Sequence, residues 1–81
     1  MIPEGHLALI YNLDKPGAIG SFSMLLGRHN VNIDQMQVGQ EETGKMNIIF
    51  LKTNVPIRKK VIDELLDLPL IISVKPLEFE T

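Results

Sequence analysis

The order in which strand-like and helix-like stretches follow one another limits the folds open to this chain more than any other feature of its sequence. Four stretches have the length, alternation or β-branched content of strands and are bounded by Gly, Pro or polar residues. They are HLALIYN at residues 6–12, VNIDQMQVGQ at 31–40, KMNIIFLKT at 45–53 and LIISVKPLEF at 70–79. Amphipathic stretches with helical spacing lie between the first and second strands and between the third and fourth. The predicted order is therefore βαββαβ.

The two predicted helices each have one apolar face and a recognisable end. The face of the first consists of Ala18, Ile19, Phe22, Leu25, Leu26 and His29. We expect this helix to end at Asn30. The face of the second consists of Ile57, Val61, Ile62, Leu65 and Leu66. Pro56 suits the first turn of that helix, because its φ angle is fixed and its missing N–H needs no partner there, and Pro69 predicts the stop.

Irregularities in two of the strands predict their places in the sheet. The alternation of residues 31–40 changes phase between Ile33 and Met36, which a bulge would explain and which suits an edge strand. Pro76 cannot donate a ladder hydrogen bond, so the last strand is also expected at an edge. With right-handed crossovers, the order βαββαβ predicts an α+β, ferredoxin-like domain. Its antiparallel sheet has four strands in the order 4-1-3-2, with both helices on one face.

The two inner strands of this sheet carry large apolar residues toward both of its faces. One set consists of Leu7, Leu9, Tyr11, Met46, Ile48 and Phe50. The other set consists of Ala8, Ile10, Ile49 and Leu51. Whichever set faces the helices, an apolar patch remains on the open face, and such patches are uncommon on soluble monomers. We therefore expect the domain to self-associate.

Composition excludes several classes of protein. With 81 residues, 44% of them hydrophobic and 22% charged, the whole chain 1–81 is expected to form a single domain. The absence of cysteine excludes disulfides and thiolate chemistry, and we expect a cytoplasmic setting. No run approaches the roughly 20 apolar residues of a membrane span, and the start MIPEGH has no targeting pattern. The net charge of −2, with residues 58–60 as the main basic cluster, argues against a nucleic-acid partner.

Other functions of ferredoxin-like domains lack the residues that they need here. A metal carrier needs a Cys-x-x-Cys pair, and a phosphatase needs an arginine in the first loop, whose cation is Lys15. An RNA-binding sheet needs stacking aromatic residues among basic ones. The aromatic residues available for this are Tyr11, Phe50 and Phe79. The histidines are His6 and His29, and no serine has the setting of a nucleophile. We expect no catalytic site, no metal and no cofactor.

The turn NLDKPGAIG, at residues 12–20, is the strongest candidate for a binding site. Pro16 fits an early helical position, where the amides that follow have no intrahelical partner and attract a carboxylate. Those amides belong to Gly17, Ala18 and Ile19. Asn12 and Asp14 offer acceptors for an ammonium group, so the turn suits a zwitterion such as an amino acid. The alternative is a purely structural turn, in which Asp14 caps the helix.

The run NLDKPGAIGSFSMLLGRHNVNIDQMQVGQ resembles the ACT domain, a small regulatory module that binds amino acids. Within that family it is most similar to the C-terminal regulatory domains of D-3-phosphoglycerate dehydrogenases. The resemblance extends from Leu7 to Phe79. It includes the Asp-x-Pro-Gly turn, Gly20, LLGRHNVNI, MQVGQ and the closing LPLIISVKPLEF.

This resemblance implies a side-by-side homodimer with a continuous eight-stranded sheet. The ligand lies between the first loop of one protomer and the second strand of its partner, and L-serine is the implied effector. Asn12 and Asp14 are placed on the loop side, and Asn32 on the position that reaches across. The turn whose amides face the ligand consists of Pro16, Gly17, Ala18 and Ile19. Serine-binding members carry His where Asn12 stands and Asn where Asp14 stands, so another amino acid is also compatible.

Three hypotheses about the function remain open at this point. The first is an amino-acid sensor, with the ligand's ammonium group toward Asp14 and its carboxylate toward the helix amides. The second is a ligand-free dimerisation module, or an ACT domain of another protein of amino-acid metabolism. The third is an RNA-binding domain, which the sparse basic residues disfavour.

Overall fold

The computed structural model describes residues 5–78, and these residues contain the predicted order of elements. The elements are β1 (His6–Leu13), α1 (Ala18–Arg28), β2 (Ile33–Gln40), β3 (Met46–Thr53), α2 (Lys59–Leu66) and β4 (Ile71–Glu78). All three strand pairs are antiparallel, and the sheet has the order β2-β3-β1-β4. The predicted ferredoxin-like fold is therefore confirmed, with β1 and β3 inside and β2 and β4 at the edges. Phe79, which was predicted to extend the last strand, lies outside the described residues.

One face of the sheet forms the core with both helices. Ala8, Ile10, Ile49 and Leu51 are completely or almost completely buried on that face. They share a single apolar cluster with side chains from both helices, namely Phe22, Leu25, Leu26, Val61 and Leu65. Burial of each large side chain contributes on the order of 1.5 to 3 kcal/mol, so this cluster fixes the helices against the sheet.

Both edge strands contain an irregularity, and the sequence predicted one of the two. The pairing of β2 with β3 shifts register between Ile33 and Gln35, which confirms the bulge expected from the phase change. The pairing of β4 with β1 shifts between Tyr11 and Asn12. That shift skips Ile72, whose side chain is 47% exposed. The β4 sequence has no phase change strong enough to reveal it.

The start of α2 differs from the prediction. Pro56 was expected in the first helical turn, but the helix begins at Lys59 and its N-cap, Arg58, has extended backbone angles. The hydroxyl of Thr53 donates to the carbonyl oxygen of Val55 at 2.8 Å, which ties this connection to the end of β3. Ile57 belongs to this connection rather than to the helix, and its side chain is buried there. At the other end Leu66 is 44% exposed, so it does not belong to the buried stripe.

The open face of the sheet carries the apolar set that the alternation predicted there, but these side chains are less exposed than expected. Leu7 is buried, and the other five are half-buried because they shield one another across the strands. Leu9 lies opposite Phe50 and Tyr11 opposite Ile48. The ammonium of Lys75 covers part of the Tyr11 ring, 5.8 Å from its centre. Self-association through this face therefore stays a prediction.

Candidate ligand-binding site

The connection between β1 and α1 is shaped by a glycine with positive φ. Gly17 is the N-cap of α1 and has φ 88° and ψ −9°, in the left-handed region that other residues rarely adopt. No atom outside its chain neighbours lies within 4 Å of where a Cβ would be, so conformation rather than crowding requires glycine here. Ala18 and Ile19 then anchor the first helical turn, the former buried and the latter packed beside the core. Pro16 and Gly17 are exposed. Because α1 begins at Ala18 and its N-cap is Gly17, Pro16 lies before the helix, and the early helical position predicted for it is wrong.

At the start of α1 the amides of Gly17, Ile19 and Gly20 have no acceptor within residues 5–78, whereas the prediction of a free Ala18 amide is wrong. No side chain caps the helix, and its first main-chain bond in the α pattern runs from the Ser21 amide to the Gly17 carbonyl oxygen at 2.9 Å. The Ala18 amide reaches the Lys15 carbonyl oxygen at 3.3 Å. The amides of Gly17, Ile19 and Gly20 donate to no acceptor in this part of the chain. Such a helix start carries a partial positive charge and can bind an anion.

Asp14 does not cap α1, so the capping alternative is wrong. Its Oδ2 accepts a hydrogen bond from Gln40 Nε2 at 2.7 Å, and its Oδ1 accepts one from Asn47 Nδ2 at 3.1 Å. Its main-chain amide donates to the Lys45 carbonyl oxygen at 3.0 Å. Asp14 is therefore tied to the end of β2 and the start of β3. A carboxylate has about four acceptor positions, so both oxygens retain capacity for a further donor.

Asn12 lies inside β1 and is fully buried, rather than on the loop side as the resemblance implied. Its Nδ2 donates to the Leu13 carbonyl oxygen at 2.9 Å. Its Oδ1 is buried and has no hydrogen-bond partner among the described residues. An unpaired buried acceptor costs about 1 to 3 kcal/mol, so this oxygen favours any donor that reaches it. Asn47, which is 8% exposed, lies directly opposite Asn12 in the ladder.

Asn32 lies at the other end of the same molecule. β1 and β2 are both antiparallel to β3, so they run in the same direction, and the Gln40 to Asp14 bond joins their ends. Asn32 precedes β2, which has eight residues, and is thus roughly 25 Å from that end at about 3.3 Å per residue. The Asn32 amide donates to Asn54 Oδ1 at 2.8 Å, and its Nδ2 donates to Asp34 Oδ1 at 2.9 Å. One protomer therefore does not bring Asn32 to the first loop.

Two polar residues of this site, Gln40 and Asn47, were missed by the sequence reasoning. Asn47 shares its alternation with Ile49 and Leu51, so the pattern already placed a polar side chain on the helix-covered face at the end of a strand. That signal was available. Gln40 gave none, because a glutamine at the end of an edge strand is ordinary.

A groove of about 480 Å³ lies away from the first loop, and valine side chains form much of its lining. Its polar lining includes His29, Arg58 and Lys60. His29 Nε2 lies 2.7 Å from Glu64 Oε2. Within residues 5–78, no three His, Asp or Glu side chains are placed to hold a metal ion, and no helix is long and apolar enough to cross a bilayer.

A ferredoxin-like sandwich with an uncapped helix start and with polar side chains buried at one end of its sheet is compatible with a small binding module. The particular family follows from comparison. The family model for the ACT domain matches residues 6–70, and the chain belongs to this family of regulatory domains.

Curated relatives include two D-3-phosphoglycerate dehydrogenases. That of Methanocaldococcus jannaschii is 38% identical over 73 residues, which cover 90% of this chain and 14% of that enzyme. That of Bacillus subtilis is 40% identical over 73 residues, with the same coverage. The chain thus spans about one seventh of the length of these relatives. A solution structure of the ACT domain from GTP pyrophosphokinase of Chlorobium tepidum superposes with a TM-score of 0.68, covering 93% of this chain and 86% of that one. Its 17% identity supports the fold alone.

Proposed function

We propose that this chain is the regulatory ACT domain of a D-3-phosphoglycerate dehydrogenase and that it binds L-serine, or a related amino acid, between two copies. The observation that carries this proposal is the uncapped start of α1, where the amides of Gly17, Ile19 and Gly20 have no acceptor among residues 5–78. Asp14 lies in the connection that leads into this helix. The names of the curated relatives support the choice of enzyme. In this proposal the whole chain 1–81 acts as one cytoplasmic domain, with no cofactor.

The charges of the site assign an orientation to the ligand. The carboxylate of the amino acid accepts hydrogen bonds from the amides of Gly17, Ile19 and Gly20, where the helix dipole adds about 0.3 to 1 kcal/mol at an exposed site. Its ammonium group donates to the carboxylate of Asp14. Charge-assisted bonds of this kind are roughly twice as strong as bonds between neutral groups.

The dimer in this proposal pairs the β2 edges of two chains around a two-fold axis. Paired edges related in this way are antiparallel, so the start of one β2 lies beside the end of the other. The partner subunit's Asn32 then lies near Gln40 and Asp14, where a single protomer lacks it. The same edge exposes Val38 at 52%, and the outward side of α1 exposes Met24 at 63%, which gives the interface apolar area.

Regulation follows from a ligand that touches both copies. Such a ligand binds the closed pair better than the open one and shifts the equilibrium by its difference in affinity, commonly about 1 to 3 kcal/mol. In a full-length enzyme, closure of the pair would be transmitted to the attached catalytic domain.

Thermal melting against a panel of free amino acids tests this proposal. Ligand at about 100 times its dissociation constant adds about 2.7 kcal/mol of stability. In a domain of this size each kcal/mol raises Tm by about 4 to 8 °C, so an effector is readily detected. The shift should disappear in Asp14→Ala and persist in Asp63→Ala, which removes an exposed carboxylate on α2. Unchanged melting across the whole panel would contradict the proposal.

A ligand-free dimerisation module is the second candidate, because both oxygens of Asp14 already accept internal hydrogen bonds. Its signature is a stable dimer by sedimentation together with unchanged melting in every amino acid. A dimer whose association strengthens with one amino acid supports the sensor instead.

A further inference from the structure

Asp14 is held by two amide side chains that differ in burial. Asn47 is 8% exposed and donates to Oδ1 from the buried end of β3. Gln40 is exposed and donates to Oδ2 from the last position of β2. The carboxylate of Asp14 thus joins the connection between β1 and α1 directly to Gln40, the last residue of the edge strand β2.

The two donors respond differently to a competing cation. If Asn47 gave up its bond, a buried amide would be left without a partner, which is costly. Gln40 can release its bond and donate to water at little cost, because its side chain is exposed. An ammonium group that reaches Asp14 also replaces a neutral donor with a charged one, which strengthens the bond. Of the two donors to Asp14, Gln40 is therefore the one that a competing ammonium group displaces.

We infer that Gln40 is a positioning residue that reports the occupancy of Asp14 to the β2 edge. In the empty domain the Gln40 amide is bound to Asp14 and turned toward its own chain. When an ammonium group occupies Asp14, the amide is released at the end of the strand, where it becomes available to a second copy. This inference rests on the proposed function and names the residue through which ligand binding and strand pairing are coupled.

The test measures dimer dissociation constants with and without L-serine in the wild-type chain and in Gln40→Ala, with Gln37→Ala as the matched control. Gln37 is an exposed glutamine on the same strand and lies opposite Phe50, away from Asp14. Serine should change the constant by about 5- to 150-fold in the wild type and in Gln37→Ala. In Gln40→Ala the change should fall to near onefold, while serine still binds. A Gln40→Ala chain with the wild-type ratio would overturn the inference.

A variant of similar size and a spectroscopic readout separate the effect of the amide donor of Gln40 from the effect of its side-chain volume. Gln40→Met keeps a neutral side chain of similar length but removes the donor, so it should lose the coupling as Gln40→Ala does. In the wild type, serine should shift the side-chain amide signals of Gln40 and leave those of Gln37 in place. Unshifted Gln40 signals at saturating serine would refute the displacement of Gln40 from Asp14. If the wild type binds no amino acid, both this inference and the proposed function fail, whereas retained coupling in Gln40→Ala removes this inference alone.

Discussion

Asn12 and Asn47 are neighbouring buried amides with opposite hydrogen-bonding status. Asn47 donates to a carboxylate, whereas Asn12 keeps an oxygen that has no partner among the described residues. The alternation of β1 and β3 could predict that both point toward the helices, because they continue the series of Ala8, Ile10, Ile49 and Leu51. It could not predict which amide is satisfied, because that depends on where Asp14 lies after the loop has folded.

This difference predicts unequal losses of stability for two matched substitutions. Asn47→Ala should lower the free energy of unfolding by about 1.5 to 3 kcal/mol, because it removes a bond to a charged group. Asn12→Ala should change it by less than about 1 kcal/mol, because relief of the unpaired oxygen offsets the lost bond to Leu13. Urea unfolding of both variants measures the pair. Equal losses would show that Asn12 is satisfied in solution.

At the scale of elements, periodicity and the positions of proline predicted those features that depend on nearby residues. The element order, the bulge after Ile33 and the edge position of the strand with Pro76 all follow from periodicity and from the missing proline N–H. The late start of α2, where Thr53 bonds to the connection at Val55, had no signal in the helical periodicity. The register shift near Tyr11 depends on how β1 pairs with the distant β4. The bond between Asp14 and Gln40 joins residues 26 positions apart and belongs to the same class.

The start of α1 provides a controlled pair of glycines. Gly17→Ala should lower the free energy of unfolding by about 1 to 2 kcal/mol, because φ 88° forces the new residue into the left-handed region. Gly20→Ala should raise it by about 0.5 to 1 kcal/mol, because Gly20 is helical and has open space around it. Chemical denaturation compares the two. A neutral Gly17→Ala would mean that the loop relaxes to another conformation.

At the scale of the whole molecule, the most exposed large apolar side chains among the described residues belong to the helices, the edge strands and one connection rather than to the apolar set of the inner strands. Val38 is 52% exposed on one edge of the sheet and Ile72 is 47% exposed on the other. The sequence pointed to the open face because alternation shows direction but not mutual shielding. The pairing proposed above therefore uses the β2 edge, where Val38 is exposed, rather than the half-buried face.

Edge pairing is tested by two lysine substitutions at matched exposure. Val38→Lys should weaken dimerisation at least tenfold, because it places a charge within the proposed β2 interface. Ile72→Lys puts the same charge on the β4 edge and should leave the dimer intact. Sedimentation equilibrium measures both. Loss of the dimer in Ile72→Lys alone would assign the pairing to the opposite edge.

The separation of Asp14 from Asn32 within one chain has a consequence for mixtures of chains. Each pocket of a pair would combine the first loop of one copy with the partner subunit's Asn32, so a pair has two pockets at opposite ends of a seam. Asp14→Ala and Asn32→Ala should each abolish serine binding when studied separately. Mixed together, they form hybrids in which one pocket carries both lesions and the other carries neither. Mixing the two inactive preparations should therefore restore serine binding at half the sites of the hybrid dimers. Calorimetric titration of the mixture with serine measures this recovery.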